Sequence, residues 1–155
     1  MVKSINAFTI RKAKTNDLAV IKAIADANRV ELGFLLRDKV KEALEDSRVF
    51  VATNTNDTVL GFVIYRHRQK DAQTTLSDIC VLQNWRGQGV GRSLIEALRS
   101  ECVELKRQFI LLKCPQHLPA NLFYERFGFN CARVEVGRVR KLNVWQLPIN
   151  AYEVM

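Results

Sequence analysis

A loop with glycine at every second position, Arg86-Gly87-Gln88-Gly89-Val90-Gly91, separates two segments of different periodicity. The segment before it, Thr74 to Leu82, is rich in Thr, Ile and Val, which is typical of a strand. The segment from about Gly89 to Leu105 predicts an amphipathic helix, with a buried stripe of Val90, Leu94, Leu98, Cys102 and Leu105. Such a junction exposes backbone N–H groups at the positive end of a helix, which predicts an anion site.

The loop does not match two common phosphate-binding patterns. The ATP-type loop ends in Gly-Lys-Ser/Thr, whereas Arg92 follows Gly91 in this chain. The dinucleotide fingerprint needs G-x-G-x-x-G, and Leu94 stands where its last glycine would be. Because Arg86 and Arg92 add positive charge, a pyrophosphate suits the loop, but a glycine-rich turn that only caps a helix is an equally good interpretation of the loop alone.

The rest of the pattern predicts a single α/β or α+β mixed domain over residues 1–155. Besides Thr74 to Leu82, the predicted strands are Phe8 to Arg11, Val49 to Thr53, Val59 to Arg66, Phe109 to Leu112, Cys131 to Val136 and Asn143 to Leu147. The other predicted helices are one capped by Thr15 or Asn16, one from Arg37 to Glu45, and one from Pro119 to Phe127 that ends at Gly128. Gly61 is expected to mark a bulge or a close backbone approach, and the stretch from Asn28 to Phe34 is expected to be irregular.

Composition excludes several classes of protein. The N-terminal stretch from Met1 to Asn6 is too polar for a signal peptide, and no apolar run approaches the length of about 18 residues that a membrane span needs. A cytoplasmic location is therefore expected.

The cysteines and histidines lack metal-ligand spacing, so no metal is expected. The cysteines are interpreted as reduced, small core residues: Cys80, Cys102, Cys114 and Cys131.

The formal net charge of +8 is the unusual bulk property. The basic residues are dispersed rather than grouped in a block, and aromatic residues make up only 8% of the chain. We therefore expect a basic surface with a phosphate site, and no dedicated nucleic-acid face. A nucleic-acid-binding protein stays open as an alternative.

Two motifs together resemble the GCN5-related N-acetyltransferase (GNAT) superfamily. Arg86-x-x-Gly89-x-Gly91 is similar to its Q/R-x-x-G-x-G/A signature. Asn121-Leu122-Phe123-Tyr124-Glu125-Arg126-Phe127-Gly128-Phe129 is similar to its N-x-x-F-Y-E-x-x-G-F segment, with every residue matching from Phe123 onward and one residue fewer between Asn121 and Phe123. The resemblance covers about residues 8 to 148. It implies a mixed, mostly antiparallel sheet of six to seven strands that is splayed after the fourth strand and flanked by about four helices.

The resemblance also implies the donor, acetyl-CoA, and the residues that bind it. The backbone of the fourth strand would pair with the pantetheine amides, the glycine loop would hold the pyrophosphate, and the last helix would add two contacts. The implied cofactor-binding residues are Ile79, Cys80, Val81, Arg86, Gly87, Gln88, Gly89, Val90, Gly91, Arg92, Asn121 and Tyr124.

The implied chemistry is acetyl transfer to a primary amine within a ternary complex. Tyr124 stands at the family's position for the acid that protonates the leaving thiolate, and the N–H of Val81 would polarise the thioester carbonyl. Asp78 is the leading candidate for the general base, with Glu31, Asp26 or water as alternatives. A covalent role for Cys80 is disfavoured because no histidine lies near it in the sequence to activate the thiol.

The acceptor is expected to be a small-molecule or peptide amine, without further identification. In such folds the segment from Asn28 to Asp38 and the strand pair around Arg138 usually shape its specificity. A catalytically silent CoA-binding module on the same fold is the main alternative to an enzyme, and a homodimer is an alternative to a monomer.

Overall fold

The computed structural model describes residues 7–149, and these form seven strands and five α-helices. The strands are β1 (Thr9–Lys12), β2 (Val49–Thr53), β3 (Val59–His67), β4 (Gln73–Val81), β5 (Phe109–Pro115), β6 (Asn130–Val136) and β7 (Lys141–Pro148). The helices are α1 (Leu18–Ala27), α2 (Arg29–Leu32), α3 (Arg37–Glu45), α4 (Val90–Glu104) and α5 (Ala120–Phe127). Residues Met1 to Asn6, for which a signal peptide was excluded from the sequence, lie outside the described part.

The strands form one mixed sheet in the order β1-β2-β3-β4-β5-β7-β6. The pairs β1–β2, β2–β3, β5–β7 and β6–β7 are antiparallel, and β4–β5 is parallel. The register of β4 with β5 runs only from Gln73 opposite Phe109 to Thr75 opposite Leu111, although both strands continue beyond these residues. The predicted mixed, mostly antiparallel sheet is therefore confirmed, and the pairing of its fourth strand with the fifth ends early.

The chain divides into two compact units, which are described separately below. The first comprises the chain up to Tyr65 together with Asp78–Leu98. The second comprises Arg66–Ser77 and the chain from Arg99 onward. The organisation as a single functional domain stays a prediction. No helix within residues 7–149 is long and apolar enough to cross a membrane, and a cytoplasmic location also stays a prediction.

The core of the first unit lies between β2, β3 and two amphipathic helices. Each helix buries residues at helical spacing, since α1 buries Ile21, Ile24 and Ala25 and α3 buries Val40, Ala43 and Leu44. Strand residues such as Val51 and Phe62 are fully buried in the same cluster. Burial of these side chains supplies the main driving force for this packing, on the order of 1.5 to 3 kcal/mol for each large one.

The start of α1 differs from the prediction that Thr15 or Asn16 caps it. Thr15–Asp17 forms a 3-10 turn, and no side-chain cap bond begins the helix. Instead, the carboxylate of Asp17 accepts the N–H of Lys14 at 2.7 Å and pairs with Arg11 at 2.9 Å. Burial alone would raise the pKa of Asp17, but the bonds from Arg11 and Lys14 bring it below the ordinary value.

Three other expectations were wrong in detail. The irregular stretch after Asn28 contains a short helix, α2. Leu105 is 54% exposed because α4 ends at Glu104, before the last residue of the predicted stripe. Cys131 is an exposed free cysteine, since β6 is the outermost strand of the sheet and is largely exposed.

The second unit is organised around the fully buried hydroxyl of Thr74. Its Oγ1 lies 2.7 Å from His67 Nδ1, and it accepts bonds from Cys102 Sγ at 3.4 Å and Arg107 Nε at 3.3 Å. The other ring nitrogen of His67 lies 2.7 Å from a carboxylate oxygen of Glu101. This polar network ties the ends of three elements together and satisfies a buried group that would otherwise destabilise the fold.

Candidate functional site

The glycine loop adopts a conformation that only glycine adopts without strain. Gly87 and Gly89 have φ angles of 76° and 87°, and a Cβ at either position would have no heavy atom within 4 Å. Glycine is needed at these two positions because of the backbone conformation, and not because neighbouring atoms would clash with a side chain. Val90 is 1% exposed and anchors the loop where α4 begins.

The start of α4 directly follows the glycine loop. Its first backward bond is donated by the N–H of Ser93 to the carbonyl of Gly89, at 3.0 Å. Backbone N–H groups in the first turn of a helix point outward along its axis and carry partial positive charge. Arg92 lies in the same turn and pairs with Glu96 at 3.8 Å. The backbone N–H groups and the positive charge of the loop and helix start thus suit the binding of a pyrophosphate.

Arg86 joins this loop to two other elements of the first unit. Its Nε donates to the carbonyl of Val81 at 3.0 Å, and its two terminal nitrogens lie 3.3 Å from Glu31 and 3.0 Å from the Asn28 side-chain oxygen. From the sequence, Arg86 is predicted to bind the phosphate. The structure shows that it also holds the end of β4 against the α1–α2 segment.

The end of β4 packs closely on β3. A Cβ at Gly61 would lie 2.8 Å from the carbonyl oxygen of Cys80 and 3.2 Å from the Cα of Val81. A register shift in the β2–β3 pair lies next to Gly61, between Ala52 and Thr53. A bulge or a close backbone approach was expected at Gly61, and both are present. This contact determines where the backbone of Val81, the predicted polarising group, lies.

Asp78 has a carboxyl group whose pKa is raised by burial. Burial raises the pKa of Asp78 from the ordinary value of 3.8 to about 6, and no neighbouring charge offsets that effect. The alternative base Asp26 differs, because a hydrogen bond from Lys22 lowers its pKa. Glu31 is paired with Arg86. A carboxyl group that titrates just below neutral pH suits a general base.

Cys80 lies in the buried core of the first unit. It is 5% exposed, and burial is the largest cause of a raised thiol pKa, partly offset by Arg86. A raised pKa keeps the thiol protonated and a poor nucleophile. The contribution of Cys80 to a site is therefore that of backbone and packing.

Tyr124 lies on α5 in the second unit and is 6% exposed. Its ring makes edge contacts with Phe123 and Phe129, at centroid distances of 5.5 and 5.7 Å. The helix ends as predicted at Gly128, whose φ of 121° lets the chain turn, and the carbonyl of Tyr124 accepts the N–H of Phe129 at 3.0 Å. The aromatic contacts and the helix end hold the Tyr124 ring in one orientation.

The side chain of Asn121, one turn earlier on α5, makes hydrogen bonds to other residues of the protein. Its Nδ2 donates to the carbonyls of Pro115 at 2.9 Å and Leu118 at 2.8 Å. Its Oδ1 accepts from Asn143 Nδ2 at 3.0 Å and Trp145 Nε1 at 2.8 Å. The sequence analysis missed these partners; the two-residue spacing of Asn143 and Trp145 on a strand was the available signal. A contact of Asn121 with CoA stays a prediction.

Residues 45–131 match the family model described as acetyltransferase (GNAT) domain. The match covers more than half of the chain. This protein belongs to the GNAT acetyltransferase family. The family assignment agrees with the two motifs, because the glycine loop and the Asn121 to Phe129 segment both lie inside the matched residues. A search of curated protein sequences finds no significant match.

Solved structures of GNAT proteins share the fold over nearly the whole chain. Ard1 from Thermoplasma volcanium is 19% identical, with a TM-score of 0.83 over 93% of this chain and 99% of that one. The ribosomal-protein-S18-alanine N-acetyltransferase from Escherichia coli is 23% identical, with a TM-score of 0.77 over 93% and 95%. The putative acetyltransferase yncA from Salmonella typhimurium, with its cofactor acetyl-CoA, is 20% identical, with a TM-score of 0.76 over 93% and 95%.

Proposed function

We propose that this GNAT protein is an N-acetyltransferase that moves an acetyl group from acetyl-CoA to a primary amine by direct attack. The observation that carries the proposal is the glycine loop, with left-handed Gly87 and Gly89 at the start of α4, in a chain of this family. Backbone N–H groups from Gly87 to Arg92 would bind the pyrophosphate. The backbone of Ile79 to Val81 would pair with the pantetheine amides, and the Val81 N–H would polarise the carbonyl.

Two side chains would move protons. Asp78 would accept a proton from the amine, so that the nitrogen lone pair attacks the thioester carbonyl carbon and a C–N bond forms. As the C–S bond breaks, Tyr124 would donate its phenolic proton to the leaving thiolate. Asp78 suits its role because its pKa of about 6 leaves it mostly ionised at neutral pH while it remains a stronger base than an ordinary carboxylate.

The direct test measures binding and turnover separately. Calorimetric titration with acetyl-CoA is expected to show binding at micromolar concentrations. Thiol release with a panel of primary amines, amino acids, peptides and polyamines is expected to show turnover with at least one acceptor. Absence of binding at high micromolar concentration would refute the proposal, whereas binding without turnover on any acceptor would favour a catalytically silent CoA-binding module.

Asp78→Asn is expected to lower turnover and to raise stability in a pH-dependent way. Because the folded pKa of about 6 lies above the ordinary 3.8, the ionised carboxylate destabilises the folded state increasingly as pH rises from about 4 through 6. The gain in unfolding free energy should therefore be absent at pH 4 and reach on the order of 1 to 2 kcal/mol at pH 7.5, discounted for partial exposure. Denaturant unfolding at both pH values measures it.

The rate of the unmodified protein should fall as pH drops through about 6, and that step should vanish in Asp78→Asn. Asp71→Asn is a matched control, since Asp71 is exposed and lies in a turn of the second unit. An Asp78→Asn variant with full activity and an unchanged pH profile would remove Asp78 from the mechanism.

Glu31→Gln is expected to raise the affinity for acetyl-CoA by a few fold. Glu31 pairs with Arg86 at 3.3 Å and so competes with a bound phosphate for the guanidinium. The pair is exposed, and pairs of this kind contribute at most about 1 kcal/mol. Calorimetry at low and moderate salt measures the change, which should shrink as salt is added. Glu45→Gln, at the end of α3, removes the same charge elsewhere and should have no effect.

A further inference from the structure

The second unit contains a surface cavity of about 390 Å³ that none of the predicted site residues line. It is lined by Gln116 and His117, which follow β5, and by Arg140 and Lys141, where β7 begins. We call this cavity the basic pocket. Its lining offers a guanidinium, an ammonium, an imidazole and a side-chain amide, and it contains no carboxylate.

The positive charge of the basic pocket is not neutralised by residues 7–149. Neither Arg140 nor Lys141 has a side-chain ion pair among the described residues. The acid of the adjoining strand β6, Glu135, is bonded to Lys113 and Arg133, which lower its pKa. The distances are 2.8 Å to Lys113 and 2.9 Å to Arg133. Cations without acidic partners attract an oxyanion, and a guanidinium can bind an oxyanion through two parallel hydrogen bonds, in bidentate geometry.

The backbone of the basic pocket is firmly held. The N–H of Gln116 donates to the carbonyl of Lys141 at 3.0 Å, which joins its two walls. In the β6–β7 turn, the N–H of Gly137 donates to the carbonyl of Arg140 at 2.9 Å, and a Cβ at Gly137 would lie 2.6 Å from that oxygen. The side chain of Asn121 donates to the carbonyl of Gln116, a lining residue, at 3.3 Å and accepts a bond from Asn143 on β7, the strand that begins at Lys141. Such preorganisation lowers the free energy needed to order a binding site.

We propose that the basic pocket binds an oxyanion, a carboxylate or a phosphate, carried by the acceptor amine. This proposal rests on the proposed acetyl transfer and names the acceptor class: amines with an anionic group, such as acidic amino acids or phosphorylated amines. Asn121, which holds the pocket walls, precedes Tyr124, the proposed acid, by one helical turn on α5. Polycationic amines are disfavoured because their charge repels Arg140 and Lys141.

The test compares acceptors that differ only in the anionic group. β-Alanine is paired with β-alaninamide, and O-phosphoethanolamine with ethanolamine, with thiol release measured for each. We expect kcat/KM to be about tenfold or more higher for at least one anionic member, as the loss of a charge-assisted bond implies. In Arg140→Gln/Lys141→Gln that preference should disappear because kcat/KM for the anionic member falls to that of the neutral member. The two pairs distinguish a carboxylate from a phosphate.

A control variant removes two charges elsewhere. Lys39→Gln/Lys41→Gln, on the exposed face of α3, lowers the net charge equally and should keep the preference. Equal rates with charged and neutral members, or an equal loss of preference in both double variants, would overturn the basic pocket as the acceptor site. Neither of these two results would contradict the proposed acetyl transfer.

A binding experiment separates failure of the pocket from failure of the enzyme. With coenzyme A saturating, so that the glycine loop is occupied, glutarate is titrated by calorimetry into the unmodified protein and both double variants. Binding that only Arg140→Gln/Lys141→Gln abolishes supports the pocket, and binding that survives in that variant overturns it. Pocket-dependent glutarate binding with no thiol release from any amine would instead overturn the proposed acetyl transfer and, with it, the acceptor assignment. Duplex DNA that competes with glutarate and binds more tightly would favour a nucleic-acid surface and overturn the proposal.

Discussion

Gly91→Glu is expected to lower the affinity for acetyl-CoA at least about a hundredfold while the protein stays folded. Gly91 is the second residue of α4, next to the backbone donors proposed to hold the pyrophosphate. A glutamate would fill that space and place a negative charge against the phosphates, removing two or more charge-assisted bonds of about 1.5 to 3 kcal/mol each. Calorimetric titration measures the loss, and circular dichroism with thermal unfolding checks the fold.

Gly91 is the better test position because, unlike Gly87 and Gly89, it does not have a positive φ angle. A side chain at Gly91 therefore adds no backbone strain of this kind, and thermal unfolding shows whether the fold accommodates it. Gly91→Ala, which the family signature allows, should keep most of the affinity. Gly91→Gln separates the effect of side-chain size from the effect of charge. Its affinity for acetyl-CoA should be lower than that of the alanine variant but higher than that of the glutamate variant. Retained binding in Gly91→Glu would refute the phosphate assignment.

Tyr124→Phe is expected to lower kcat by about 10²-fold with little change in acetyl-CoA affinity. Removing the hydroxyl leaves the leaving thiolate without its proposed proton donor, and general acids typically contribute 10² to 10⁴-fold. The ring and its contacts with Phe123 and Phe129 are retained, so the shape of the surroundings is preserved. Steady-state thiol release and calorimetry measure the two quantities.

Tyr65→Phe is the matched control for Tyr124→Phe. Tyr65 is a fully buried tyrosine of β3 whose hydroxyl is bonded to Lys12, and no role in the chemistry is proposed for it. Its variant tests whether the loss of a buried phenolic hydroxyl lowers activity through stability alone. An unchanged kcat in Tyr124→Phe would remove Tyr124 from the mechanism, and an equal loss in both variants would assign the effect to folding.

Local sequence pattern predicted most elements because their periodicity and end signals are local properties. The bounds of α3 and β2 were predicted to the residue, and α5 ended at Gly128 as expected. The start of α1 was predicted wrongly because Thr15 and Asn16 are good local caps, whereas the structure uses Asp17, which is bonded to Arg11 on the preceding strand. Leu105 was wrongly included in a buried stripe, since helical spacing alone does not show where a helix stops.

The candidate site was predictable in its residue types but not in its contacts. Asp78 was one of several candidate bases in the sequence, and burial, which raises its pKa to about 6, separates it from Asp26. Arg86 was predicted as a phosphate-binding residue, and its bonds to Glu31 and Asn28 join segments far apart in the chain. The roles of both residues depend on neighbours that sequence spacing does not reveal.

The alternating glycines between Arg86 and Gly91 determine by themselves that a strand must turn sharply into a helix, because left-handed backbone needs glycine at Gly87 and Gly89. The second motif, from Asn121 to Phe129, then indicated the family. Only the tertiary structure decided which charges are neutralised and which are not. Glu135 is bonded to Lys113 and Arg133, whereas Arg140 and Lys141 line a cavity without a carboxylate. Charge pairing is a property of distances across the fold, so the acceptor proposal could come only from the folded chain.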